Sequence, residues 1–418
     1  MTPTETTETV VIGSGIIGAM SALYLQADGH SVTMIEQGEL AGGASAGNAG
    51  ILAFPEIIPI AAPGVMNKAP KWLLDPLGPL SLRPGYALQM IPWLWRFWRA
   101  SSPSAFRHCV EVHAAMMGLA ETEMQHVLTR TGLGHMVSNT GTLDLYDSKR
   151  SLDAAAADWR EKARSGVEFS TIGRGDIERL QPGIADRFQH GIFTPAGLQV
   201  SDPRDFARAI IEFAAAQGMK KLSAKVERIE PVEGGARVVL AGGRVLQARH
   251  VIVAAGAWSK TLAKSLGDHA PLETERGYNT TLPPGAFPLK KQLYFNDHGF
   301  VVTPLSTGIR VGGAVELGGL DLPPNFRRSE AMLTKAKSFL PDLKVEGGRQ
   351  WMGFRPSLPD CIPVIGPSKA TPAVVYAFGH GHLGLTQSAS TGRLVADIVA
   401  RRSPSIGIEP FAIGRFAR

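Results

Sequence analysis

The stretch from Thr9 to Glu36 constrains the fold more than any other part of the chain. Residues 9–12 (TVVI) are a β-branched run of the kind that forms a buried parallel strand. They lead into Gly13-Ser14-Gly15-Ile16-Ile17-Gly18, a G-x-G-x-x-G, and then into an Ala- and Leu-rich helical stretch, residues 19–27, closed by Asp28-Gly29. Residues 31–35 read as a second strand ending on Glu36. Gly13 permits a tight turn, Gly15 lets the backbone approach a pyrophosphate, and Gly18 lets helix and strand pack closely. The helix N-terminus, with Ile17 in it, offers N–H donors and a positive dipole end to phosphates. Glu36 stands where a carboxylate would accept ribose hydroxyls, and Gln37 follows it. A strand–turn–helix–strand–acid series in this register predicts an α/β fold with a Rossmann-like dinucleotide-binding domain.

From Gln37 to Gly50 the chain is dominated by small residues: QGELAGGASAGNAG. Such a loop has two readings. It lies along a ribityl chain and phosphates, with Ser45 and Asn48 as polar contacts and Ala44, Ala49 and Gly50 beside them, or it is a flexible surface linker. GSGIIG, Glu36 and GGASAGNAG together resemble the opening of the FAD-dependent D-amino-acid oxidase/glycine oxidase superfamily. Within it the chain is most similar to the bacterial D-amino-acid dehydrogenase branch, which includes D-hydroxyproline dehydrogenase-like proteins. The resemblance implies FAD as the cofactor, and an α+β substrate domain built on an antiparallel sheet and interleaved with the Rossmann-like one.

The remaining segments bear on that expectation one by one. Residues 54–102 are Pro- and aromatic-rich, and polar helical stretches follow from about 111 to 131. Residues 141–146, 190–194, 292–302 and 308–315 are β-rich, and 203–217 read as a helix capped by Ser201 or Asp202 with Pro203 at its first position. Residues 224–230, 236–241 and 244–247 read as a meander, and 250–253 (HVIV) as a buried strand. This interleaving predicts two discontinuous domains. The FAD-binding one takes 1–55, 198–270 and 345–418, and the substrate domain takes 56–197 and 271–344. Ala255, Gly256 and Trp258 in AAGAWS resemble a second flavin-contact segment of the family, with Val226 beside it. Near the C-terminus, residues 374–378 (VVYAF) read as a strand that runs into GHGHLGLT and a helix over 387–401. This second glycine-rich turn presents N–H groups, and the resemblance places His382, Gly384, Leu385 and Thr386 at the flavin. A helix N-terminus there suits the negative charge of reduced flavin. His380 and His382 form an H-x-H, but no third ligand stands at supportive spacing, so no metal is expected.

WMGFRPSLPDCIPVIG (351–366) resembles the family signature G-x-R-P-x-x-P-D-x-x-P-x-I-G. Family carry-over puts Arg355 on the substrate α-carboxylate, a task suited to a planar, permanently charged, bidentate group. It orients the amino acid for hydride transfer from Cα–H to flavin N5. Relatives with a thioether-linked flavin carry Cys two residues before this arginine; here that residue is Gly353, so the FAD is expected to be non-covalent. Arg276 and Tyr278, in ERGY, resemble the start of a strand bordering the substrate cavity. Arg276 either pairs with the carboxylate or forms ion pairs with Glu273 and Glu275.

Composition narrows the class further. The 418 residues are 44% hydrophobic and 19% charged, which excludes disorder, and a net charge of +6 over this length makes a weak case for nucleic acid. Two cysteines, Cys109 and Cys361, exclude a disulfide framework and a thiolate metal cluster. No basic leader and no run of 18 apolar residues is present, so a cytoplasmic protein is expected. Four of the seven tryptophans fall between Trp72 and Trp98, and Pro92 is read as opening a helix with Trp93, Leu94, Trp95, Phe97 and Trp98 on one arc and Arg96 and Arg99 on the remainder. That helix is either an interfacial membrane segment on the inner face of the cell membrane or a core helix with solvated arginines. The first alternative suits electrons passing to a quinone or respiratory-chain acceptor. The expected activity is oxidation of the Cα–N bond of a D-amino acid or cyclic secondary amino acid, such as D-proline or cis-4-hydroxy-D-proline. The rivals are an oxygen-using glycine- or sarcosine-type oxidase and a partner-dependent flavoprotein subunit.

Overall fold

The computed structural model describes residues 4–66 and 80–417. Its first sheet grows outward from the N-terminal βαβ unit: strand β1 (Thr4–Ile12), helix α1 (Ile16–Ala27) and strand β2 (Val32–Glu36). β1 is longer than its β-branched run because residues 4–7 continue the ladder, pairing with residues 245–248 of β3 (Val245–Val253). β1 lies between β2 and β3, parallel to both. Lys220–Ser223 extends the sheet beyond β2, and Val374–Phe378 extends it beyond β3, again in parallel. The chain therefore leaves β1 in one direction and later resumes on its other side. This reversal opens a crevice at the carboxyl ends of β1 and β3, the place where open α/β sheets bind ligands.

Side-chain alternation along β1 sorts the two faces of this sheet. Val11 joins Met20 and Leu23 of α1, Phe206 of helix Pro203–Ala216 and Leu394 of helix Ser388–Val399. Val10 and Ile12 join Val251, Val253 and Leu262 on the opposite face. Asp202 caps the helix at 203, accepting from the backbone N–H of Arg204 at 2.9 Å and of Asp205 at 3.2 Å. The meander differs from expectation in one respect. Residues 245–247 and 250–253 are not two strands but parts of the single strand β3, which pairs with β1 along its length, with Gly235–Leu240 over residues 245–248 and with Val374–Phe378 over residues 251–253.

Among the described residues the second sheet has nine strands. Its spine is β4 (Glu273–Leu282), β5 (Gly308–Leu317) and β6 (Arg349–Ser357), with β4 paired antiparallel to both of the others. It continues through Phe300–Leu305, Gln292–Phe295, Thr142–Tyr146, His190–Thr194 and Ser170–Gly173. The pairing is mostly antiparallel, with two parallel contacts added: Gln292–Phe295 on Thr142–Tyr146, and Leu80–Leu82 on β5. Strands joined by so long an excursion through the first sheet are free of the hairpin constraint that enforces antiparallel pairing. A further, three-stranded sheet consists of Ile51–Leu52, Leu198–Val200 and Val137–Asn139. The expected return to the first sheet at 345 comes later: β6 still belongs to the second sheet, and the first sheet resumes at Val364–Pro367.

The aromatic helix, α2, runs over Ala87–Ala100, so Pro92 lies inside it rather than at its start. A 3₁₀ turn at Pro84–Tyr86 leads into the helix, and Pro92 is on the exposed side. The aromatic arc is also divided: Trp93 is buried with Met90, whereas Trp95 and Trp98 are exposed. Trp72 lies outside the described residues.

The junction of β1, α1 and β3 yields a prediction. A Cβ on Gly18 would stand 2.0 Å from the Gly13 carbonyl oxygen, a backbone atom that cannot swing aside. Gly18→Ala should therefore lift α1 from the turn, costing about 1–3 kcal/mol as overpacking does and loosening the crevice. Urea melts and the ratio of bound flavin to protein read both effects; an unchanged melt with full flavin would contradict the packing described.

Candidate active site

The crevice opens into one continuous cavity of about 1790 Å³ that runs from the first glycine turn to Arg355. At its first end Gly13 has φ 105°, and a Cβ there would stand 2.4 Å from the Ala254 carbonyl oxygen. Gly13, Gly15 and Ile17 face the cavity; Gly18 is spent on packing behind them. Ser45 Oγ accepts from the Ile16 N–H at 2.9 Å, so the small-residue loop is tied to the N-terminus of α1. Glu36 accepts from the Ser14 N–H and hydroxyl at 2.9 and 2.8 Å and from the Gly38 N–H at 2.9 Å. These bonds fix its carboxylate at the cavity wall with lone pairs left for a diol. Gln37, Val226, Ala255, Gly256 and Trp258 line the same end.

The loop 37–50 is an ordered wall of the cavity. Ala44, Ser45, Asn48 and Ala49 face it, whereas Gly50 turns away at φ 79°, against Leu305 and Val200. Asn48 spends its Oδ1 on the Gly50 N–H at 2.8 Å. Two residues outside the sequence motifs hold this loop to the second sheet. Arg310 of β5 donates to the carbonyls of Asn48 and Ala46 and, through Nε, to Thr281 at 3.0 Å. Asn279 of β4 donates to the Gly47 carbonyl at 2.9 Å. The available signal for Arg310 was a lone charge inside the otherwise apolar run GIRVGGAV. Gly47 is also obligatory, since a Cβ there would overlap the Trp351 ring at 2.1 Å.

His382, Gly384, Leu385 and Thr386 line the cavity beyond the loop. Thr386 Oγ1 accepts from the Ala53 N–H at 3.0 Å, locking the C-terminal turn to the loop. Gly353 does not face the cavity, because the Trp351 indole lies directly over it. Arg355 comes from the same strand, β6. Its guanidinium crosses Gly277 of β4 so closely that a Cβ on Gly277 would stand 2.5 Å from Cζ. Nη1 donates to the Ala314 carbonyl at 3.2 Å. Burial lowers the Arg355 pKa and the nearby Glu275 carboxylate opposes that shift. Glu275 also lines the cavity and accepts from the Ser357 hydroxyl at 2.6 Å. Tyr294, a weaker candidate in the hairpin QLYFNDHGF, and Glu56, which no motif marks, add polar groups to the wall.

Arg276 and Tyr278 require correction. β4 alternates, so while Glu275 and Gly277 turn to the cavity, Arg276 points the other way, 0% exposed. Its guanidinium donates to the carbonyls of Gly319, Leu322 and Pro323 and so clamps a loop instead of a substrate. It makes no ion pair with Glu273, which instead pairs with Lys260. The Tyr278 ring touches the cavity, but its hydroxyl donates to Glu316 and accepts from the Asn325 N–H at 3.0 Å. Both are structural in this geometry.

The two histidines are neutral near pH 7. Burial pushes His380 down to about 3, and its Nε2 lies 2.9 Å from Thr391 Oγ1. Burial also lowers His382, with Glu275 and Glu56 opposing the shift and Arg355 adding to it. For His380 the sign follows: a folded-state pKa below the unfolded one gives stability that is present above the unfolded value and lost as pH falls toward 3. Each unit across that window removes roughly 1.4 kcal/mol. His380→Gln should flatten the fall of Tm between pH 7 and 4, read by thermal melts; an identical fall in both proteins would contradict a buried neutral His380.

Comparison with known proteins agrees with this geometry. Residues 8–398 match the family model described as FAD dependent oxidoreductase. A D-amino-acid oxidase of Bradyrhizobium diazoefficiens is 33% identical over 414 residues, covering 97% of this chain and 98% of that protein. A D-amino acid dehydrogenase of Rhizobium johnstonii is 30% identical over 417 residues, covering 97% and 99%. In fold, glycine oxidase from Geobacillus kaustophilus superposes with a TM-score of 0.76 at 24% identity, covering 99% of each chain. The glycine cradle, the fixed Glu36 and the two closing turns fit an FAD, and this chain belongs to the FAD-dependent oxidoreductase family.

Proposed function

We propose that the protein oxidises the Cα–N bond of a D-amino acid or a cyclic secondary amino acid and passes the electrons to a quinone-type acceptor. The observation that carries the reading is Arg355 at the inner end of the cavity, a planar cation laid across Gly277 with Glu275 beside it. A guanidinium so held binds an α-carboxylate through two parallel hydrogen bonds and fixes the orientation of Cα. FAD, when bound, supplies the two-electron acceptor for the Cα–N bond. Gly277 acts by having no side chain, which keeps the fork in place. Ser357 holds Glu275 against rotation, so the cation keeps its counter-charge. The substrate amine enters unprotonated, its proton going to solvent, and the resulting imine hydrolyses to a keto acid or stays cyclic. Tyr294 and Glu56 on the wall offer partners to a polar substituent such as a ring hydroxyl.

The apolar wall formed by Leu80, Leu82, Trp93, Leu94 and Phe97 supports a lipophilic acceptor, as does the dehydrogenase relative. An oxygen-using oxidase is the second reading, favoured by the relative named D-amino-acid oxidase. A peripheral position on the inner face of the cell membrane belongs to the quinone reading. Among the described residues no helix is long and apolar enough to cross a membrane. The Gly353 position, covered by Trp351 and without a thiol, supports a non-covalent FAD.

Arg355→Ala loses a charge-assisted bond worth roughly 1.5–3 kcal/mol, so kcat/KM should drop at least about tenfold with flavin content unchanged. Gly277→Ala should fold normally yet raise KM, because the guanidinium end must move; wild-type kinetics for both variants would place the carboxylate elsewhere. Acid precipitation should release all yellow colour to the supernatant, and colour kept in the pellet would mean a covalent flavin. With D-proline, cis-4-hydroxy-D-proline and a panel of D- and L-amino acids, dye or soluble quinone reduction should outpace oxygen use. Stoichiometric peroxide at the same rate would make the protein an oxidase.

A further inference from the structure

Helix α2 has two apolar faces. On the inner one Trp93, Leu94 and Phe97 line the cavity, with the Trp93 and Phe97 rings stacked at 5.3 Å. Turned outward are Leu88, Ile91, Trp95 and Trp98, at 80%, 57%, 51% and 57% exposure. Their spacing of i, i+3, i+7 and i+10 keeps them within an arc of about 80°. Only seven large hydrophobic residues are strongly exposed among the described residues, and four of them form this one stripe. Scattered exposed apolar residues need no explanation, but a contiguous stripe of this kind marks a docking surface.

Charge selects the occupant. Arg99 lies over the Trp95 ring at 4.9 Å, Arg96 is on the same helix, and exposed Arg107 is on the next. Between Pro76 and Val110 the chain carries four arginines and no Asp or Glu. Of those four, Arg83 is paired with Glu316. His269 is held below its ordinary pKa by burial and then by Arg96 and Lys260, so Lys260, itself paired with Glu273, also lies on this side. A second copy docking through a two-fold axis would bring these arginines against one another with no carboxylate from this stretch to answer them. An anionic bilayer answers both features, since it takes apolar side chains at the headgroup boundary and attracts basic ones. Tryptophan is the residue enriched at that boundary.

We propose that the outer face of α2 seats the protein on an anionic phospholipid surface. Leu88, Ile91, Trp95 and Trp98 enter the headgroup boundary, and Arg96, Arg99 and Arg107 meet the phosphates. This deepens the quinone reading and rests on it for its purpose. The lipid phase then lies one helix diameter, about 10–12 Å, from the apolar cavity wall that the other face of α2 provides.

The test uses the full chain loaded with FAD and vesicles of phosphatidylcholine with or without phosphatidylglycerol. Wild-type protein should co-sediment with the anionic vesicles at least about tenfold more strongly than with the neutral ones, and release as salt is raised. Trp95→Ser with Trp98→Ser, and separately Arg96→Gln with Arg99→Gln, should each weaken sedimentation about tenfold or more. Bound flavin and dye reduction should stay at wild-type levels. Wild-type protein that remains in the supernatant at low salt would overturn the proposal. So would a dimer that the tryptophan double variant dissolves without any effect on vesicles, which would give the face to a second copy. Vesicle binding together with fast peroxide production would uphold the docking surface while removing the quinone reading, so the two fail separately.

Discussion

Two backbone oxygens stand where side chains would be at residues 13 and 18: the Ala254 carbonyl 2.4 Å from a Cβ on Gly13, and the Gly13 carbonyl 2.0 Å from one on Gly18. This pair of close approaches lets β1, α1 and the end of β3 meet at a point. Without it the crevice would be filled by protein. From that point the cavity extends along the loop 37–50, and the loop keeps its course because Ser45 caps α1 and Arg310 and Asn279 hold its carbonyls from the second sheet. The cofactor cradle and the substrate end are therefore one construction. Arg310 and Arg355 come from strands that both pair with β4, so moving either strand would disturb both ends of the cavity.

The period of two along β4 decides which charges do chemistry. Glu275 and Gly277 face inward and frame Arg355, Arg276 faces outward, and Arg276 together with the Tyr278 hydroxyl fastens the loop after β5. Burying Arg276 completely is sustainable because three backbone carbonyls take its donors. The outward network of Arg83, Glu316 and Tyr278 also anchors the residues just before α2 to the sheet. In this way the helix that closes the apolar end of the cavity is positioned by charges that never touch it.

Much of this was legible from the sequence, for a physical reason. The first glycine turn and Glu36 form a local pattern whose spacing fixes geometry, while Arg355 and the C-terminal turn stood out through resemblance to family signatures. What was not legible depends on partners distant in sequence. Nothing in ERGY tells which of its alternate residues faces the cavity; that is set by pairing with β5 and β6, which turns Arg276 away and leaves the Tyr278 ring at the cavity with its hydroxyl given to Glu316. Gly353 and Gly50 were assigned to the flavin by motif, and tertiary packing by Trp351 and Leu305 turned them from it. The aromatic helix was read as one arc, whereas the sheet beneath it divides that arc into a cavity wall and an exposed stripe. Glu56 carried no motif, and Arg310 showed only as a lone charge in an apolar run, whose partners appear in three dimensions.

The account rests on an amino acid being presented to the flavin by Arg355. An anaerobic titration of the FAD-loaded protein tests this most directly, because it needs no assumption about the acceptor. A D-amino acid or cyclic secondary amino acid should bleach the oxidised flavin spectrum in one equivalent, its decarboxylated amine should not, and Arg355→Ala should require far more substrate for the same bleaching. Bleaching by the amine as readily as by the amino acid, or a spectrum unmoved by every amino acid offered, would contradict it.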